Sequence, residues 1–400
     1  MSAHHHPISK VLSLAASRKL KKQHIIYGSI IALVLFVSAM SLSDLSPFNT
    51  SNGELRYYRA TVLQVEDITL QDGRSQGIKV QLLDGGDKGH VVGVTRNVNF
   101  GDATYKHLPV GSELLLTKDS AGGSQYLYGD RWHMPGVAAL FLILLVLVII
   151  VGGWRGVTSV LGLVISIGIL SVYVLPQILS GYSAYAACIQ GALMITVVSV
   201  YVAHGFSRRT TMALIGSVVT LFIIVGLVAL ATYLTGISEV IDENTMGILY
   251  GSHPISLGDL LTGGIVIASL GVLYDITTSQ AAAVDEIYKA NKKQSFKTLF
   301  GKGLSVGREH VAALVNTLAL VYVGVALPSI VITSLYNHAP LLVIFNDETI
   351  IEEVVRTCVA SIGMLFALPI TTALAAYVLP KWYATNNRQL MKRVKILINW

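Results

Sequence analysis

The stretch LLTGGIVIASLGVLY, residues 260–274, runs directly into Asp275 and continues as ITTSQAAAV, residues 276–284. At about 1.5 Å per residue the apolar part is about 22 Å long, short of a hydrocarbon core of about 30 Å. A helix that crosses a membrane here must therefore continue to about residue 284. That places Asp275, Thr277, Thr278, Ser279 and Gln280 at bilayer depth, where polar side chains are costly and ordinarily face a partner, a cavity or an ion path. At helical periodicity Asp275, Ser279, Ala282 and Glu286 share one stripe, with Thr278 and Asp285 at its edge.

The rest of the chain has the same character. It is 53% hydrophobic and 13% charged, against about 25% charged in soluble domains, and its mean hydropathy is +0.62. Apolar runs long enough to span recur at 25–42, 135–151, 157–178, 185–203, 212–234, 257–284, 311–335 and 354–379. The pattern predicts an α-helical polytopic membrane protein of about eight transmembrane helices.

Charge placement orients it. Lys10, Arg18, Lys19, Lys21 and Lys22 precede the first run, and Arg155, Arg208 and Arg209 fall in later turns predicted on the same side. Lys289, Lys292, Lys293, Lys297, Lys302 and Arg308 follow Asp275, and residues 380–400 form a basic tail. The short segments 179–184, 235–256 and 336–350 contain no Lys or Arg. By the positive-inside rule both termini are cytoplasmic in a bacterial cell membrane, and the net charge of +6 reflects this bias rather than nucleic-acid binding.

The predicted domains are a basic N-terminus at 1–24, an anchor at 25–42, a β-rich extracytoplasmic domain at 43–133, a seven-span core at 134–379 and the tail. In the outer domain Ile78, Val80 and Leu82 alternate with Lys79 and Gln81, and 59–66 and 113–117 are further strand candidates. Gly85-Gly86, Gly89 and 109–111 supply turns. These features suggest a small, roughly five-stranded OB-like barrel or sandwich. Cleavage after the first run stays open, because that run also resembles a signal peptide.

Polar residues continue into the seventh run, which opens with Gly307, Arg308, Glu309 and His310 and carries Asn316 and Thr317. His310 and Thr317 share a face, whereas Asn316 points about 120° away from His310, so the three cannot line one surface of one helix. Pro328 lacks an N–H and leaves the carbonyl of Gly324 without its helical donor, and Pro369 does the same to Leu365. Helices interrupted in this way build ion and substrate sites in some transporters. Arg356 is placed to pair with Glu352. The two cysteines, Cys188 and Cys358, lie inside predicted spans and provide no disulfide framework. Whether His4, His5 and His6, or the acidic loop with Glu239, Asp242, Glu243 and His253, holds a metal stays open.

The stretch from Gly271 to Ile287 around Asp275, with Gly307 to His310, Val315 to Thr317 and Ala326 to Pro328, resembles the YibE/F-like family of bacterial integral membrane proteins. The resemblance implies an anchor, a small β-rich outer domain and a multi-span core. It implies no particular activity.

The sequence is compatible with more than one functional class. A secondary transporter or channel-like permease, proton- or cation-coupled, explains polar residues at depth and needs no nucleotide site; no phosphate-loop motif is present. In it Asp275 binds a proton or cation, Thr278, Ser279, Gln280, Glu286, Asn316 and Thr317 are further candidate ligands, His310 is a proton exit, and Gly324 and Pro328 mark a helix break. The alternative is a non-transporting scaffold or receptor-like partner whose β domain binds an envelope or secreted ligand. An intramembrane enzyme is not expected: Asp259 and Asp275 lie on one helix about 24 Å apart, too far to share a proton, and no His-Glu-x-x-His motif occurs. No cofactor is expected. The expected partners are the lipid bilayer and a small solute or ion, with a homo-oligomer or a membrane-protein partner left open.

Overall fold

The computed structural model describes residues 55–70, 73–98, 108–119, 125–237, 255–337 and 340–398. The first predicted span, the three N-terminal histidines and the acidic loop at 239–253 lie outside the described residues. The chain divides after Trp154 into two compact units.

The first unit carries five strands, β1 (Leu55–Leu70), β2 (Gly73–Leu82), β3 (Val91–Val98), β4 (Glu113–Asp119) and β5 (Tyr126–Arg131), followed by helix α1 (Met134–Gly152). The strands form one antiparallel sheet in the order β3-β2-β1-β4-β5. Its edge strands approach each other, so the sheet curls into a half-barrel. Alternation produces the core: Ala60, Val62, Ile78, Val80, Leu82, Leu114 and Leu116 point inward and are buried. The predicted turns at Gly85, Gly89 and Gly111 all have positive φ, which glycine adopts without a Cβ penalty. Arg59 is buried with Asp84, donating Nε at 2.9 Å and Nη2 at 3.1 Å. Asp87 accepts from Tyr126 Oη at 2.8 Å, and this bond, helped by Lys118, holds its carboxyl below the ordinary value.

The second unit is helical. Its helices are α2 (Trp154–Leu179), α3 (Ala184–His204), α4 (Arg208–Thr235), α5 (Leu257–Ala290), α6 (Phe296–Asn337), the single turn α7 (Leu341–Ile344) and α8 (Glu348–Ile398). With α1, seven described helices are long and apolar enough to cross a membrane, and the protein is a membrane protein. Serines start three of them: Ser183, Ser207 and Ser256 accept from the backbone N–H groups of Ala186, Thr210 and Asp259.

Helix α5 is the hub, packed against α3, α4, α6 and α8. Its buried Ile265, Val266, Leu273 and Ile276 meet Leu221, Ile224 and Val228 of α4 and Val359, Met364 and Ala367 of α8. Polar groups inside this core are paired across helices. Ser217 and Thr277 bond at 2.7 Å. Gln280, 2% exposed, donates to the carbonyl of Gly303 at 2.8 Å and to Thr372 Oγ1 at 2.7 Å. The approach of α6 depends on two glycines. A Cβ at Gly303 would lie 2.8 Å from Val284 and 2.9 Å from Thr372, and one at Gly307 would meet Leu368 and, at 2.6 Å, Gln280.

Three expectations need correction. Helix α6 runs unbroken through Gly324 and Pro328, and α8 through Pro369 and on to Ile398. The irregular turn lies in α2, where Leu170–Val174 is π-helical and Leu175 donates to the carbonyl of Leu170. Pro176 explains it: its ring would crowd the carbonyl four residues back, and a wider turn relieves that clash. Arg356 pairs with Glu353, one turn back, rather than with Glu352.

Substituting Gly307 by Leu tests the close approach of α6. Overpacking against Leu368 and Gln280 is expected to cost about 1–3 kcal/mol. Gly324→Leu meets open space and should change stability by less than about 0.5 kcal/mol. Thermal unfolding of both variants in detergent checks the contrast; equal midpoints contradict it.

Candidate functional site: two adjoining clefts

Helix α2 lies against α3 along a row of small and hydroxyl residues one turn apart, Thr158, Gly162 and Ser166. Thr158 Oγ1 donates to the carbonyl of Ala203 at 3.0 Å, and Ser166 and Ser199 share a hydrogen bond of 2.7 Å. A stripe this small, next to α4 and α5, leaves space unfilled. Two clefts result.

The first, about 290 Å³, is a charged mouth lined by Arg155 at the start of α2, His204 at the end of α3, Arg209 and Thr210 at the start of α4, and Asp275, Thr278 and Ser279 of α5. The second, about 330 Å³, is lined by the hydroxyls of Ser159, Ser166, Thr196, Ser199, Ser217 and Tyr274, and by apolar side chains including Leu163, Leu170, Ile267 and Leu270. No charged side chain lines it.

The clefts abut. Ala203 and Tyr274 line the inner one, and their chain neighbours His204 and Asp275 line the mouth. The rings of His204 and Tyr274 lie 5.5 Å apart at the junction. From Ser159 to Leu170 the inner cleft follows α2 for about 16 Å at about 1.5 Å per residue, about half of a hydrocarbon core. Beyond it the helices close. Leu170 and Ile267 pack into an apolar cluster of Val174, Ile178, Ala184, Ala187 and Cys188, with Val174 seated directly on Gly191. Tyr173 donates to Gln190 at 2.7 Å beside this seal, and Gln190 donates to Tyr182 at 3.0 Å.

The residues singled out from sequence divide into groups. Asp275, Thr278 and Ser279 line the mouth. His310, from α6, places Nε2 3.7 Å from Asp275 Oδ2, both side chains being about half exposed. Gln280 faces α6 and α8, away from the clefts, because its amide is engaged by Gly303 and Thr372. Glu286 is exposed and pairs with Lys289 at 2.9 Å; the same lysine meets the buried Asp285 at 2.7 Å, which also accepts from Tyr383 Oη. Asn316 and Thr317 are exposed on α6, Thr317 Oγ1 bonding back to the carbonyl of Leu314. Gly324 and Pro328 lie farther along the same exposed stretch. None of these last four lines either cleft.

Sequence reasoning used Arg155 and Arg209 only as markers of sidedness, and passed over His204 and the α2 and α3 hydroxyls. The spacing of Thr158, Gly162 and Ser166 was the available signal for a close, polar helix contact. Among the described residues no group of three or more His, Cys, Asp or Glu is placed to hold a metal. Both cysteines are free.

Among known proteins, no curated sequence and no solved structure matches the chain. A family model described as YibE/F-like protein matches residues 140–381. That stretch is more than half of the chain and contains every residue of both clefts, so the protein belongs to the YibE/F-like family.

Proposed function

We propose that the protein is a secondary transporter or channel-like permease of a bacterial cell membrane, with both clefts open toward the cytoplasm. One observation carries the reading: a charged mouth abuts a hydroxyl-lined cleft that follows α2 for about half the thickness of a hydrocarbon core, with an apolar cluster beyond it. A packing helix bundle has no need of such a space, and polar clefts of this kind suit a solute that sheds its water in steps.

Asp275 and His310 are the coupling pair. The His310 imidazole lies 3.7 Å from the Asp275 carboxylate, and the charges facing the pair are Arg155 from α2, His204 from α3 and Arg209 from α4, with Arg308 and Glu309 flanking His310. Proton uptake by this group at the mouth and release after the seal opens would link solute movement to a proton gradient.

Water access is tested by thiol labelling in a background with Cys188→Ala and Cys358→Ala. Thr278→Cys in the mouth and Ser159→Cys in the inner cleft should react with a membrane-impermeant maleimide, and Ile224→Cys, 1% exposed in the core, should not. An unreactive Ser159→Cys removes the path. For transport, protein in vesicles is screened against a panel of small cations, anions and neutral solutes. Wild type should carry at least one, and Ser159→Trp, which fills the inner cleft, should abolish that flux. If Asp275→Asn carries the solute with unchanged proton coupling, the coupling role is wrong; if nothing on the panel crosses, the permease reading is wrong.

A further inference from the structure

We propose that the solute is a small carboxylate anion, bound with its charged end between Arg155 and Arg209 and its carbon chain directed into the inner cleft. This inference rests on the permease reading and specifies its substrate class.

Charge at the mouth is the first support. Two guanidinium groups, Arg155 and Arg209, line it against a single carboxylate, Asp275. Neither arginine has an ion-pair or hydrogen-bond partner among the described residues, whereas Asp275 has His310 at 3.7 Å. With histidines neutral, the mouth carries excess positive charge. A cation arriving there meets two fixed like charges. A carboxylate meets two planar forks whose paired N–H groups match its oxygens, the strongest class of hydrogen bond available to a protein.

The inner cleft provides the second support. Most of its hydroxyl hydrogens are already committed: Thr196 donates to the carbonyl of Ala192, Ser166 to that of Gly162, and Thr277, behind Ser217, to that of Leu273. Ser199 and Ser217 are then left to donate to the neighbouring hydroxyls of Ser166 and Thr277. Ser159 and Tyr274 remain uncommitted among the described residues, and the buried Tyr274 Oη has no hydrogen-bond partner. A phenol is a good donor, and it sits at the junction between the clefts. Below it the walls are Leu163, Ile267 and Leu270, suited to methylene groups rather than to a second charge. A volume of about 330 Å³ leaves room for an acid of a few carbons.

The test uses the full-length protein in vesicles with radiolabelled pyruvate, succinate, inorganic phosphate, sodium and rubidium as separate probes. At least one of the two carboxylates is expected to enter faster than into protein-free vesicles. Arg155→Gln and Arg209→Gln should each reduce that rate by about tenfold or more, the worth of a lost charge-assisted hydrogen bond, and Arg155→Lys should reduce it less. Pyruvate should also raise the thermal midpoint of detergent-solubilised wild type above that in chloride of equal ionic strength, an effect that does not depend on any variant folding. Entry of sodium, rubidium or phosphate without either carboxylate overturns the anion assignment and leaves the permease reading standing; no flux of any probe overturns both. The arginines can instead hold lipid phosphates. The flux arm is therefore run in pure phosphatidylcholine and with added phosphatidylglycerol, and arginine variants that match wild type in pure phosphatidylcholine also overturn the assignment.

Discussion

A polar side chain surrounded by hydrocarbon must find a partner, and the Gln280 amide finds two at once. By donating to the Gly303 carbonyl and to Thr372 Oγ1 it ties α5, α6 and α8 at one level of the bundle. Breaking either bond would leave a buried amide hydrogen unmet, at a cost of about 1–3 kcal/mol. The tie is possible only because Gly303 and Gly307 leave no Cβ in the gap. It also fixes which part of α6 is docked. The N-terminal turns lie against the core and bring His310 to Asp275, while the stretch beyond residue 311 is largely exposed.

Helix α5 therefore has two chemically different faces over the same turns. Thr277 and Gln280 point into packed protein, where they bond to Ser217, Gly303 and Thr372. Asp275, Thr278 and Ser279 point into the mouth, and the two hydroxyls bond back to the carbonyls of Tyr274 and Asp275 on their own helix. The buried face makes the bundle rigid where the open face needs a fixed wall.

Much of the fold was legible in the sequence because membrane spans and half-barrel strands are both set by simple periodicity. The apolar runs at 135–151, 185–203 and 212–234 fall within one to four residues of α1, α3 and α4 at each end. The alternation of Ile78, Val80 and Leu82 marked a strand that buries all three. The site was legible only in part. Asp275 announced itself, since an acid in an apolar run has few bland explanations. The faces of its neighbours did not, because helical phase tells which residues share a stripe but not what lies opposite; Gln280 and Ser279, adjacent in sequence, have opposite surroundings for that reason. Arg155, His204 and Arg209 sit at span ends, where basic residues are expected for topology alone, so their convergence on one mouth required three helices to be placed in space. The prolines misled for a related reason: Pro328 and Pro369 lie within continuous helices, and the distorted turn belongs to α2, ahead of Pro176.

That turn is where the permease reading makes its strictest structural demand. A path blocked by Val174 on Gly191 and by the cluster around Ala187 opens only if α2 moves relative to α3. The contact is narrow, built from Thr158, Gly162, Ser166 and the seal itself, with hydroxyl pairs rather than interlocked large side chains on the mouth side. A π-helical turn at Leu170–Val174 already departs from the regular i to i+4 ladder, so returning it to α-helical phase rotates everything beyond it by up to about 100°, the angle of one residue, at the expense of few backbone bonds. Such a rotation would carry Val174 off Gly191 while leaving the Arg155 end of α2 in place. On the permease reading, a seal that moves while the mouth stays in place is the condition for a site that faces one side of a membrane at a time.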